Sequence, residues 1–226
     1  MKDRIVFAAL ILVIVVIIIT AGSALNSFLS TRSKRNILDR SFLTGDPCSP
    51  PCWHEITVNE STYEDVYQIL PSLPFVDPET IREWNRSWLN DDEAIEIHYK
   101  CKTFNDDSCG GITLSKGLVK RIWFSVGDYA TLDVVINRFG PPSYIEYGSW
   151  GVEIPGCDIG FVWTDLGISA TYLNTRDTKV CDSLREGRAL SSDLSITSMA
   201  YSSQEVFPYE PGDCCTRIEW PGFENR

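Results

Sequence analysis

Histidine is nearly missing from this chain: His54 and His98 are the only two in 226 residues. A zinc site built on a His-x3-His pair is therefore excluded, and cysteine would have to supply the ligands. The cysteines are not spaced for that. Cys48 and Cys52 are four apart, Cys101 and Cys109 eight apart, and Cys214 and Cys215 adjacent, with no Cys-x-x-Cys pair anywhere. The stretch Asp46 to Ile56, "DPCSPPCWHEI", has one residue too many for haem attachment, and Trp53 stands between Cys52 and His54. The same spacing fails the thioredoxin-type redox pair, which needs two intervening residues at the head of a helix. There is no phosphate-cradling glycine loop, no Gly-x-Ser-x-Gly and no dinucleotide fingerprint. Basic residues are also short, 20 Lys and Arg against 31 Asp and Glu, for a net charge of −11. That balance excludes a nucleic-acid partner, since phosphate contacts need cations. No cofactor and no metal is expected.

A long apolar run is what the chain does have. Ile5 to Ile19 are all apolar, and no charge occurs between Arg4 and Arg32. A stretch of ~20 apolar residues crosses a bilayer as a helix. Lys2 and Arg4 resemble the basic start of a signal peptide, with Gly22 and Ala24 as small residues before a cut. The run fills the top of the usual signal length, which favours an uncleaved anchor. Arg32, Lys34 and Arg35 would hold the C-terminal side in the cytoplasm. Eight cysteines in so short a chain argue the opposite, for an oxidising compartment. We weight the cysteines and expect a single-pass membrane protein with its domain outside the cytoplasm. Asn59-Glu60-Ser61 and Asn85-Arg86-Ser87 match the glycosylation sequon, a triplet too common to decide anything.

The remainder is divided by composition. Residues 1–26 read as transmembrane anchor or signal peptide and 27–45 as a polar stalk. Residues 46–125 and 126–181 read as two α+β units, and 182–226 as a C-terminal extension. Ser61 or Thr62 can cap a helix, and Ser61-x-x-Glu64 is a capping-box spacing, ahead of Val66, Ile69 and Leu70. Asp77-Pro78-Glu79-Thr80 predicts a second helix carrying Ile81, Trp84, Trp88 and Leu89 on a packed face. "EAIEIHYKC" alternates as a half-buried strand, with Glu96, His98 and Lys100 on the solvent side. Residues 111–126 predict a hairpin turning at Lys116-Gly117. A helix over Thr131 to Phe139 is closed by Gly140 and Pro141. A strand at 144–147, a hairpin over 157–173 and a last strand near 194–203 complete the order. The tail reads as loop.

Val58-Asn59-Glu60 through Asp65-Val66 aligns without gaps on Val126-Gly127-Asp128 through Asp133-Val134, which suggests an internal repeat. "VGDYATLDVVINRFGPPSYI" resembles the periplasmic modules of the SmpA/OmlA (BamE-like) lipoproteins, which share a fold with the β-lactamase-inhibitor protein. Gly127, Val134, Gly140 and Pro142 carry the helix part of that pattern, and Lys116-Gly117-Leu118-Val119 resembles its meander turn. "PCWHEITVNESTYEDV" is similar to the opening of bacterial extracytoplasmic proteins built in this way. Two departures stand out: no lipobox cysteine comes after the apolar run, and Asn59 occupies the place of a glycine. The resemblance implies an α+β fold of two tandem helix-plus-antiparallel-meander units; the apolar run places one transmembrane helix ahead of them. Fold-level analogy does not transfer function.

Disulfides are the expected use of the cysteines. Cys101 and Cys109 flank a turn, Cys157 and Cys181 flank a hairpin, and Cys48 and Cys52 are left to reach Cys214 and Cys215, tying the tail to the start of the domain. A catalytic Cys52–His54 pair would need a free thiol where thiols are oxidised. A hydrolase using His98 would need acidic groups to converge on it. The function expected is non-catalytic binding or scaffolding at the cell envelope, against another envelope protein. Exposed aromatics and an acidic surface are its contact chemistry. Tyr144, Tyr147, Trp150 and Trp163 are the candidates, because they fall on strands or loops of the second unit. A secreted enzyme inhibitor is the alternative the resemblance implies; a hydrolase or thiol enzyme is the alternative from another class. If the 1–26 segment is an uncleaved anchor, the protein stays in the membrane pellet after alkaline carbonate extraction. Release into the supernatant identifies a cleaved signal instead.

Overall fold

The short helices are set by their first turns. Thr62 caps α1 (Tyr63–Ile69): its hydroxyl accepts the Asp65 N–H, and the Asp65 carboxylate accepts the Thr62 N–H at 2.8 Å. The box falls one residue later than the expected Ser61–Glu64 pair, because the Ser61 hydroxyl is taken by the Thr57 N–H at 2.8 Å. Pro71 lies in the single 3-10 turn, Leu70–Ser72, that comes next. The helix expected after Thr131 forms as α2 (Leu132–Phe139) and ends at Gly140. A four-residue helix (Ser41–Thr44) precedes α1, and α3 (Lys179–Arg185) carries Cys181.

The computed structural model describes residues 39, 41–85, 94–102, 109–126, 130–148, 157–174, 179–203 and 215–223. Leu38–Arg226 belong to one compact unit. Its strands are β1 (Cys52–Trp53), β2 (Ile56–Thr57), β3 (Val76–Asn85), β4 (Ile95–Cys101), β5 (Gly110–Ser115), β6 (Leu118–Ser125), β7 (Tyr144–Gly148), β8 (Cys157–Trp163), β9 (Ile168–Asn174), β10 (Ser198–Ser202) and β11 (Cys215–Ile218). β1 and β2 pair with each other. The other nine form one antiparallel sheet in the order β11-β7-β8-β9-β10-β6-β5-β4-β3. The β5–β6 hairpin turns at Lys116-Gly117, both at positive φ (53° and 76°), the geometry of a two-residue hairpin that only the glycine adopts without strain.

This sheet corrects the expected architecture. The chain is not two tandem α+β helix-plus-meander units; it is mostly one large antiparallel sheet with short helices. Two segments account for the difference. The stretch after Asp77, expected as a helix, is strand β3. Its backbone pairs with β4 on both sides of a bulge between Asp77 and Arg82, which gives Pro78 a place where no ladder hydrogen bond is needed. The second is β10, from the expected C-terminal extension. It lies in mid-sheet, between β9 and β6. Part of the tail is also strand, since β11 pairs with β7. The expected transmembrane helix at 1–26 falls outside the described residues. Among the described residues no helix is long and apolar enough to cross a membrane.

One face of the sheet carries the core. Ile97, Ile112, Ile122, Phe124, Ile145, Ile159, Phe161 and Ile168 are all at most 2% exposed. Val66 of α1, Leu132 and Val135 of α2 and Leu184 of α3 belong to the same cluster. Trp53 is the more deeply buried of the two tryptophans in it, 1% exposed. Its indole stacks on Phe124 at 5.6 Å and on Tyr99 at 6.1 Å, with Phe75 edge-on at 6.0 Å. Truncating such a residue costs about 3–5 kcal/mol.

The indole N–H of Trp53 has to be satisfied, and Asp39 does this. Trp53 Nε1 donates to Asp39 Oδ2 at 2.6 Å, the Ser41 N–H and hydroxyl each donate to the same carboxylate at 2.8 Å, and His54 Nε2 lies 3.1 Å from it. Burial alone would raise the Asp39 pKa; the His54 and Ser41 contacts outweigh burial and hold it below its ordinary value of 3.8. A carboxylate depressed in the folded state contributes stability that is present above the unfolded pKa. That contribution is lost as pH falls through the folded one. The urea midpoint of the wild type should therefore drop more steeply below about pH 4 than that of Asp39→Asn, which cannot titrate. Parallel acid limbs for the two proteins would remove Asp39 from the acid response.

Candidate functional site

Side chains alternate across a strand, so the residues between the core positions all point to the other face of the sheet. Register aligns them in rows. Trp84 lies beside Glu96, Glu96 beside Thr113, and Thr113 beside Arg121. In the next row Arg82 faces His98, His98 faces Gly111, Gly111 faces Trp123, and Trp123 faces Ala200.

Glu96 organises these rows. It is 2% exposed, although it lies on the face expected to meet solvent. A buried carboxylate survives only with hydrogen-bond partners, and both oxygens have one. Trp123 Nε1 donates to Oε1 at 3.0 Å, and His98 Nε2 lies 3.1 Å from Oε2. The His98 ring packs against Trp84 at 5.4 Å and edge-on against Trp123 at 5.6 Å. Gly111 makes room for this: a Cβ there would sit 2.6 Å from Trp123 Nε1 and 2.9 Å from its ring. Three aromatic rings thus form a platform held from below by one carboxylate. Trp84 caps it and is 63% exposed.

The platform can offer a pre-positioned aromatic surface. It does not resemble an acid–base centre, since the Glu96 oxygens are engaged and shielded from solvent. Strand alternation alone makes His98 an exposed side chain with no acid converging on it. In the fold it does meet one, two residues earlier on its own strand face, and that i, i+2 spacing is visible in "EIH". Trp84 is hidden by the helix expected after Asp77, which assigns it to a packed face. On a strand it moves to the face away from the core.

The residues proposed from sequence are scattered. Tyr147 is 8% exposed and belongs to the core cluster. Trp163 is also buried, donating Nε1 to the Gly140 carbonyl at 2.8 Å and packing edge-on against Phe139. Tyr144 faces outward but is covered by Arg217, whose guanidinium sits 4.1 Å from the ring centre and hydrogen-bonds Glu146 at 2.7 Å. Trp150 lies outside the described residues. None of the three described aromatics joins the platform.

Three disulfides are present among the described residues. Cys101–Cys109 and Cys157–Cys181 are bridged as expected. Cys48 and Cys52 are bridged to each other, which corrects their expected pairing with Cys214 and Cys215. The loop is the reason. The Cys52 N–H donates to the Ser49 carbonyl at 3.1 Å, and the turn brings the two Cα atoms to 5.7 Å, inside disulfide range. Cys214 lies outside the described residues, and of Cys215 only the backbone, in β11, is described. Among the described residues no group of three His, Cys, Asp or Glu side chains is arranged to hold a metal.

A second polar cluster sits where α1 meets β3. The hydroxyls of Tyr63 and Tyr67 both donate to Glu83 Oε1, Tyr67 at 2.5 Å. These bonds pull the Glu83 pKa down. Desolvation, then the carboxylate, pushes the Tyr67 hydroxyl up. The cluster ties the helix to the strand and presents no open donor set.

No protein-family model matches the chain, and neither a curated protein nor a solved structure does. The platform can be tested directly. Glu96→Ala leaves the Trp123 N–H and the His98 ring without their acceptor and should cost about 1–3 kcal/mol in a urea titration. It should also shift tryptophan fluorescence, while Glu96→Gln retains an acceptor and most of the stability. Equal losses in both variants would mean that the charge, not the hydrogen bonding, holds the rings.

Proposed function

We propose that the protein is a non-catalytic binding module of the cell envelope that engages another envelope protein through the Trp84 platform. One observation carries the reading: Trp84 stands 63% exposed on rings fixed from beneath by a buried carboxylate. A large exposed indole carries a hydration cost that contact with a partner removes. Tryptophan and arginine are the residues most often responsible for binding energy; Arg121 ends the row of Trp84 and Arg82 begins the next. Pre-positioned rings lose little freedom on association, which favours affinity. The three disulfides among the described residues suit a compartment that oxidises thiols. Anchoring through residues 1–26 would hold the module at the membrane.

Trp84→Ala separates this reading from a structural role. The side chain is mostly in solvent, so the melting temperature should not move, and capture of the envelope partner should fall at least about tenfold. Capture is read by photo-crosslinking from position 82, beside the platform, in chains that keep Trp84 and in chains that carry Trp84→Ala, and then by affinity purification with both forms. A Trp84 chain that crosslinks to nothing, or a Trp84→Ala chain that captures equally well, overturns the proposal.

A further inference from the structure

The three disulfides among the described residues differ in where they sit. Cys101 and Cys109 are each 5% exposed, and Cys157 and Cys181 are 0% and 6% exposed, so both bridges lie in the core. Cys48 and Cys52 are only half-buried. Their bridge closes a loop of three residues, Ser49-Pro50-Pro51, in which Ser49 and Pro51 are exposed. The Glu55 N–H reaches Cys48 Sγ at 3.4 Å. The segment on the C-terminal side of the bridge is anchored independently of it. Trp53 and Ile56 are 1% and 0% exposed, β1 pairs with β2, and Trp53 is bonded to Asp39.

We infer that Cys48–Cys52 is a thiol–disulfide exchange site, with a dithiol as co-substrate, while the other two bridges are structural. A disulfide that is partly open to solvent exchanges more readily than a buried one, because the attacking thiolate can reach a sulfur along the S–S axis, whereas a buried bridge requires the fold to open. The attacking thiolate bonds to Cys52 Sγ, and the S–S electron pair leaves on Cys48 Sγ. The Glu55 N–H already points at that sulfur and stabilises the thiolate that forms there. The second thiolate of the dithiol then attacks the mixed disulfide and releases Cys52. The dithiol leaves as its disulfide, two electrons pass to the cysteine pair, and the two thiol protons end on Cys48 and Cys52. The core stays closed throughout, because Trp53 and Ile56 hold the β1–β2 turn without the bridge.

Graded reduction of the full-length protein with dithiothreitol, then alkylation and peptide mapping, tests this. Cys48 and Cys52 should label together at a dithiol concentration at least about tenfold below that needed for Cys101, Cys109, Cys157 or Cys181. Tryptophan fluorescence and near-UV circular dichroism should remain native at that point. Labelling of a core pair first, or of all pairs together, overturns the assignment. So does labelling of Cys48 and Cys52 only under conditions that unfold the protein. A Cys48→Ser/Cys52→Ser variant checks the first step: it should fold and lose the low-concentration labelling alone.

Discussion

Pairing between β6 and β10 joins nine strands into one sheet. Ser198–Ser202 run antiparallel to Arg121–Ser125 on one side and to Ile168–Thr171 on the other. Without them, β3–β6 and β7–β9 with β11 would be two small sheets, each with an open edge of unpaired backbone groups. β10 satisfies both edges at once. It also adds Met199 and Tyr201, each 1% exposed, to the core side. The Thr131–Ser195 bridge and the Ile196 N–H on the Ala130 carbonyl lead the chain into that position from the start of α2. The rest of the organisation depends on this closure: one continuous apolar face, one set of helices against it, and an opposite face that runs unbroken from Trp84 to Arg217.

The two faces are each organised by an indole and a carboxylate, with opposite consequences. On the core side Trp53 is buried among Phe75, Tyr99 and Phe124, and Asp39 satisfies its N–H from the segment that enters the domain. Burial dominates there, and the polar bond prevents a loss rather than adding a large gain. On the far side Glu96 is the buried group and the rings lie above it. The carboxylate fixes the rings, and the exposed indole is left for a partner. The first arrangement explains why Trp53 and Ile56, which follow the Cys48–Cys52 bridge, are core residues although the stretch around them reads like a chemical motif. The second explains why a strand acid and histidine that look like surface charges belong to a built site.

Legibility in the sequence tracks how local the deciding interaction is. The Lys116-Gly117 turn and the Thr131–Phe139 helix are readable because a turn conformation or a closing glycine suffices. The Cys101–Cys109 and Cys157–Cys181 bridges are readable because each flanks a turn or hairpin. The Asp77–Asn85 segment misleads. Its Asp-Pro start is a helix signal, but β4 lies alongside with unpaired backbone groups, and the bulge absorbs the proline. Long-loop arguments pair Cys48 with the tail, while a three-residue turn held by one backbone bond decides the matter. Two of the candidate aromatics are buried for the same reason: Tyr147 and Trp163 alternate onto the core face, and only strand register determines which face that is.

The sequence by itself determined where the charge, the apolar run and the turn signals lie, since composition and short-range sterics need no partner. It also determined that metal, haem and dinucleotide chemistry lack their spacings. Tertiary structure decided that β10 closes the sheet, that Glu96 is buried and Trp84 exposed, and that one of the three described disulfides stands outside the core. Each of these depends on which distant part of the chain supplies the neighbouring backbone. A shift of one residue in the strand pairing would exchange the two faces.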